Sequence, residues 1–325
     1  MTRARTALAL SALAVALAMA TVVPASSGPP ALTFSIFVHT TQNMDSIVWT
    51  GSQFLYVQNT ENTVWVAPPT GLPLRRFATM PRLVEETRCI RSPGSHGFPR
   101  RAIFCHSPDD KIYELPEGGG VARVFAALPV PPGTVSDGAL AFDDVGTFGH
   151  RLVAATGRSG AGQALGGAVY TIDPSGRVRQ VGTYSGPGAD NVVIAPPGFG
   201  SAAGAALLAE DGGSGPADLV AMDARGATHV VVRLSSGLNP IVALPRATPR
   251  AGLPRSGLYV TDDETGNTYF APAAELAPYA GDVLVGSELG GRFWIVEPHG
   301  SLFRALPVRH RAMHAKSLEA AIFVP

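Results

Sequence analysis

Short apolar runs recur along the chain, each ended by Gly, Pro, Asp or Ser, and residues 137–183 show the pattern most fully. That stretch reads Asp137-Gly-Ala-Leu-Ala-Phe, then Arg151-Leu-Val-Ala-Ala, then Gly167-Ala-Val-Tyr-Thr-Ile, then Arg177-Val-Arg-Gln-Val. Four such runs in about 50 residues predict one up-and-down sheet, the blade of a β-propeller.

The unit repeats on both sides of that stretch. Runs at 45–49, 54–57, 63–66 and 74–78 predict blade one, and runs at 87–90, 102–105, 111–115 and 121–125 predict blade two. Blade four falls at 191–195, 206–209, 218–222 and 228–232. Runs at 240–244, 257–260 and 267–270 are expected to form blade five, and those at 282–285, 292–296 and 301–305 blade six. The pattern breaks at 271–281, where Pro272 and Pro278 stand in place of two expected strands, while a strand at 318–324 is left over. The leftover strand is expected to close the ring against blade six or blade one, removing an open sheet edge. The prediction is an all-β chain, a single six-bladed β-propeller with four-stranded blades over 45–325, with a lead-in at 26–44 that holds a strand near 34–38.

Composition narrows the function classes. The 325 residues carry 25 Lys+Arg against 25 Asp+Glu, and 46% are hydrophobic. A large core is therefore available, and no basic stripe exists to hold nucleic acid. Residues 1–25 read as a signal peptide: Arg3 and Arg5 lead an uncharged apolar run at 7–23, with small-residue cleavage patterns at 18–20 and 23–25. A membrane anchor is the alternative, but the run is short for a span. The mature chain is expected to be secreted or periplasmic, monomeric, and without a membrane span. In such a compartment Cys89 and Cys105 are expected to pair, since antiparallel neighbours bring the start of one strand to the end of the next.

Candidate chemistry lies where inner strands begin, at one mouth of the central channel. Asp45, Glu86, Asp137, Asp190, Asn191, Asn239 and Glu319 stand at those starts. Carboxylate and amide oxygens converging on one axis suit Ca2+ or another divalent cation. The same residues are also ordinary turn formers, so both readings stay open. No Gly-x-Ser-x-Gly elbow is present, and no catalytic residue is assigned. His310 and His314 are spaced as a helical zinc pair, but Arg309, Arg311 and Lys316 beside them point to a solvated basic loop.

Asp137-Gly-Ala-Leu-Ala-Phe and Ala189-Asp-Asn-Val-Val-Ile-Ala at inner-strand starts resemble the SMP-30/gluconolactonase-like and NHL-type propellers. The SMP-30 resemblance implies a divalent cation held by a Glu, an Asn and an Asp, and lactone hydrolysis. It would assign Asn191 or Asn239 as the Asn and Asp137 or Asp45 as the acid. Where that family has its Glu, this chain has Asp45, and the comparable Glu is Glu319. Two functions remain open: an exported module binding a small molecule or an extracellular protein, and a calcium-dependent lactone hydrolase.

Overall fold

The structure is a computed structural model describing residues 31–59, 61–81, 86–130, 138–157, 159–160, 163–164, 166–246 and 255–325. The expected signal peptide and Asp137 lie outside the described residues. Six sheets of four strands, one of them extended to five, form the blades of a six-bladed β-propeller. Each inner strand touches the inner strands of its two neighbours, and the last returns to the first, so the ring is closed.

The apolar runs form strands because blades pack on both faces. The second strands, Phe54–Gln58, Ile103–Ser107, Leu152–Thr156, Ala206–Glu210, Val283–Ser287 and Gly257–Asp262, are buried at every residue. Strands covered on both faces read as continuous apolar runs rather than alternating ones. Outer strands such as Arg75–Thr79 and Val178–Tyr184 are half exposed and carry the polar residues. Six hydrophobic clusters fill the six interfaces between neighbouring blades. Their burial is the main driving force for the ring.

Blades one to four follow the chain in order. Cys89 and Cys105 face each other directly in blade two and are disulfide-bonded, as the strand reading expects. Gly120–Val121 leaves blade two and adds a parallel fifth strand to the outer edge of blade one.

Blades five and six correct the sequence expectation. The inner strand Leu238–Ala243 does not pair with Gly257–Asp262, but with Val283–Ser287, followed by Phe293–His299 and Leu302–Val308. The intervening hairpin, Gly257–Asp262 and Asn267–Pro272, crosses to blade six. There its inner partner is Leu318–Val324 and its outer partner is Ser35–His39, from the lead-in. The closing blade thus joins both ends of the described chain, and both edges of the hairpin are satisfied. The two strands expected within 271–281 are replaced: the preceding strand ends at Pro272, Ala273–Leu276 is a short α-helix and Ala277–Tyr279 a 3-10 turn. Pro272 is the last residue of its strand, opposite Gly257, and stands just before the helix, while Pro278 lies inside the 3-10 turn, where a mid-sheet strand would lose a ladder hydrogen bond. Among the described residues, no helix is long and apolar enough to cross a membrane.

Candidate ligand channel and its closed end

All six inner strands run in the same direction along the axis, so their first residues meet at one mouth. Arg88, the first residue of Arg88–Arg91, sits at the centre of that mouth and is 4% exposed. Its Nη2 donates to Glu319 Oε2 at 2.8 Å and to Glu86 Oε2 at 3.1 Å. Its Nη1 donates to the Asp45 carbonyl at 2.9 Å, and the Asp45 carboxylate lies 3.6 Å away. Asp190 Oδ1 is 3.7 Å from Nη2. One guanidinium is therefore ringed by carboxylates from four parts of the chain.

Further groups hold those carboxylates in place. Asn239 Nδ2 donates to Glu319 Oε2 at 3.0 Å, and Ser317 Oγ to Glu319 Oε1 at 3.2 Å. The Thr87 amide donates to Asp45 Oδ2 at 3.1 Å. Glu86 adopts φ 51°, the left-handed region that costs a non-glycine residue strain. Gly138 packs against it: a Cβ there would come within 2.1 Å of the Glu86 carbonyl, so only glycine admits this approach.

The electrostatics follow from burial. Burial opposes the Arg88 charge, but Glu86, Asp190, Glu319 and Asp45 outweigh it and hold the guanidinium firmly protonated. Burial pushes the Asp45 carboxyl up to about 7, against the pull of Arg88. Burial likewise pushes Glu319 well above the ordinary glutamate range. One cation cannot neutralise four carboxylates in a dry site, so the cluster retains protons near neutral pH.

Asp45, Glu86 and Glu319 each offer an oxygen within 4.8 Å of the others, a hard-cation donor set. Among the described residues, two buried acceptors, Asp45 Oδ1 and Asn239 Oδ1, have no hydrogen-bond partner. Yet Arg88 already bonds two of the three carboxylates. A cation does not fit there while the guanidinium stays.

Of the residues singled out from the sequence, Asp45, Glu86, Asp190, Asn239 and Glu319 converge on this cluster. Asn191 takes no part in its hydrogen bonds; its Oδ1 accepts from the Val192 amide at 3.0 Å, and it lines the cavity beyond. Arg88 and Ser317 were missed. The signal for Arg88 was present: an inner strand with an acid two residues earlier, on an axis predicted to crowd acids together. Buried acids demand a buried cation.

Beyond the cluster the axis opens into a cavity of about 850 Å3, lined from all six inner strands. Its walls are largely apolar, including Ile47, Ile90, Phe142, Val193, Ala321 and Phe323. Arg88 forms its floor, and Arg91, Asp144 and Arg246 mark the opposite rim.

No protein-family model and no curated protein sequence matches the chain. Among solved structures it is similar to the PQQ-bound aldose sugar dehydrogenase of Streptomyces coelicolor, with TM-score 0.51 and 14% identity over 87% of this chain and 90% of that one. It is also similar to the WD40 β-propeller domain of Doa1, with TM-score 0.45 and 9% identity over 90% of this chain and 88% of that one. The chain is a six-bladed β-propeller with a polar, closed axial mouth. Its likeness to the dehydrogenase is one of fold, and propellers carry many unrelated functions.

Proposed function

We propose that the protein is a binding propeller whose axial cavity receives a small, largely apolar molecule through the rim opposite Arg88. The cavity carries this reading. Its volume of about 850 Å3 lies within the ~300–1,000 Å3 typical of small-molecule sites, and such sites are usually apolar with a few placed polar groups. The Arg88 cluster supports entry from one side only, because a cross-linked charged knot closes the other.

In this reading Arg88 stands where the divalent cation was expected. A bound calcium ion needs oxygens at about 2.3–2.6 Å, and Arg88 Nη2 occupies the space between Glu319 and Glu86. Calcium-dependent lactone hydrolysis, which the SMP-30 resemblance implies, is therefore the weaker proposal.

The neutral apolar dye N-phenyl-1-naphthylamine tests the site. It should bind the wild-type chain saturably, one per molecule, and Ala321→Trp should abolish binding by filling the cavity. Failure of the wild type to bind, or unchanged binding in the variant, would reject the axial site. Lactone opening that requires added calcium and is lost in Asp45→Asn would instead establish the hydrolase.

A further inference from the structure

A second cavity, about 400 Å3, opens between blades one and two at the rim end of the ring. Its floor includes Leu55, Ile103 and Leu115, which belong to the hydrophobic interface of those two blades. Its margin carries Arg91, Arg100 and Arg101. Cys89 and Arg91 lie on the same face of one strand, both half-buried, and the face that carries the disulfide also brings Arg91 to this cleft.

Three cations are thus set around an apolar pocket with one acid among them. Arg101 pairs with Glu117 at 3.5 Å, and both side chains are well exposed. Among the described residues, Arg91 and Arg100 have no carboxylate partner. The Nε of Arg91 is shielded from solvent and, among the described residues, has no hydrogen-bond acceptor. A Cβ on Gly51 would come within 2.9 Å of Arg91 Nη1, so the guanidinium is packed against the 50–53 turn. Burial, then Arg101 and Arg100, lower the affinity of Arg91 for its proton, placing the three within one another's field. Like charges gathered on an apolar pocket are relieved by an anion, and guanidinium forks match the planar oxygens of carboxylate and phosphate.

We infer that this cleft is an anion-binding site for a compact molecule bearing a carboxylate or phosphate on an apolar body, with the acid on Arg91 and Arg100 and the body over Leu55 and Leu115. The site shares Arg91 with the rim of the axial cavity, but Arg100, Arg101, Leu55, Ile103 and Leu115 belong to the cleft and do not line that cavity, so the two can be tested apart.

Calorimetric titration of the full chain with benzoate, phenyl phosphate and neutral benzamide tests the proposal. At least one of the two acids should bind at one site, and the comparison identifies which head group is preferred. Benzamide should bind about tenfold more weakly or worse, since the charge-assisted bonds are lost. Arg91→Gln and Arg100→Gln should each weaken the acid about tenfold. Arg91→Lys should weaken it less, and exposed Arg309→Gln should change nothing. Unchanged melting temperatures would show that the variants are folded. If neither acid binds at millimolar concentration, if benzamide binds equally well, or if Arg91→Gln binds like wild type, the proposal is wrong. Ala321→Trp, which fills the axial cavity, should leave acid binding intact; its loss there would also overturn the assignment.

Discussion

Arg88 shows how one residue changes the meaning of its neighbours. Without it, Asp45, Glu86 and Glu319 are a cation's ligands; with it, they are the walls of a buried ion cluster. Removing one partner from such a cluster is far costlier than the cluster's net worth. Arg88→Leu is therefore expected to destabilise the fold by about 3–5 kcal/mol in denaturant unfolding. Calcium should raise the melting temperature of that variant and leave the wild type unmoved; a calcium-dependent rise in the wild type would restore the metal reading. The cluster also predicts pH dependence. Burial raises Asp45 to about 7, and it raises Glu288, which follows the strand Val283–Ser287 and feels Asp211, Glu86 and Arg88, to about 8, so the folded chain holds protons that the unfolded chain has released. Their stabilisation is fully present below the ordinary carboxylate range and is lost as pH rises through about 7 to 8. His106 acts oppositely: burial lowers it to about 4, so the folded state is penalised as pH falls below the usual histidine range. Thermal melts should show stability falling between about pH 6.5 and 8.5, with a shallower fall in Asp45→Asn. A rise over that window would contradict the assignment.

The element that matters most is the closing blade. Its strands come from the lead-in, from a hairpin inside the blade-five segment, and from the end of the chain. Deleting residues 1–39 would bare the edge of Asn267–Pro272, an unpaired ladder that invites edge-to-edge association. The truncated chain is expected to melt lower and to elute as oligomers on size exclusion; a monomer with unchanged melting would show that the outer strand is dispensable. Blade two is stapled differently, by the Cys89–Cys105 bond across a sequence separation of 16. Replacing both cysteines with Ala should cost about 2–4 kcal/mol, read from denaturant midpoints of the variant against the oxidised wild type.

At the scale of the whole ring, six interfaces of similar kind share the stabilisation, and the axis concentrates what the six inner strands carry. The axial cavity and the cleft between blades one and two both open at the rim, while the opposite mouth is closed by charge. Much of this was legible along the chain. Runs buried on both faces, such as 152–156 and 206–210, announce strands of a packed blade wherever they fall, because burial is written directly into residue type. Glycine and proline at their ends mark the turns, and the two cysteines lie at matching places in neighbouring strands. Convergence of Asp45, Glu86, Asp190, Asn239 and Glu319 also followed from their shared place at inner-strand starts. The exchange between blades five and six did not, because a strand's apolar pattern says that it must be covered, not which neighbour covers it. Nor did the identity of the central cation: sequence spacing put acids on the axis, but only packing in three dimensions turned Arg88 inward to meet them. Local sequence sets what each segment must bury; long-range pairing sets with whom, since contacts such as Arg88 to Glu319 join residues 231 positions apart.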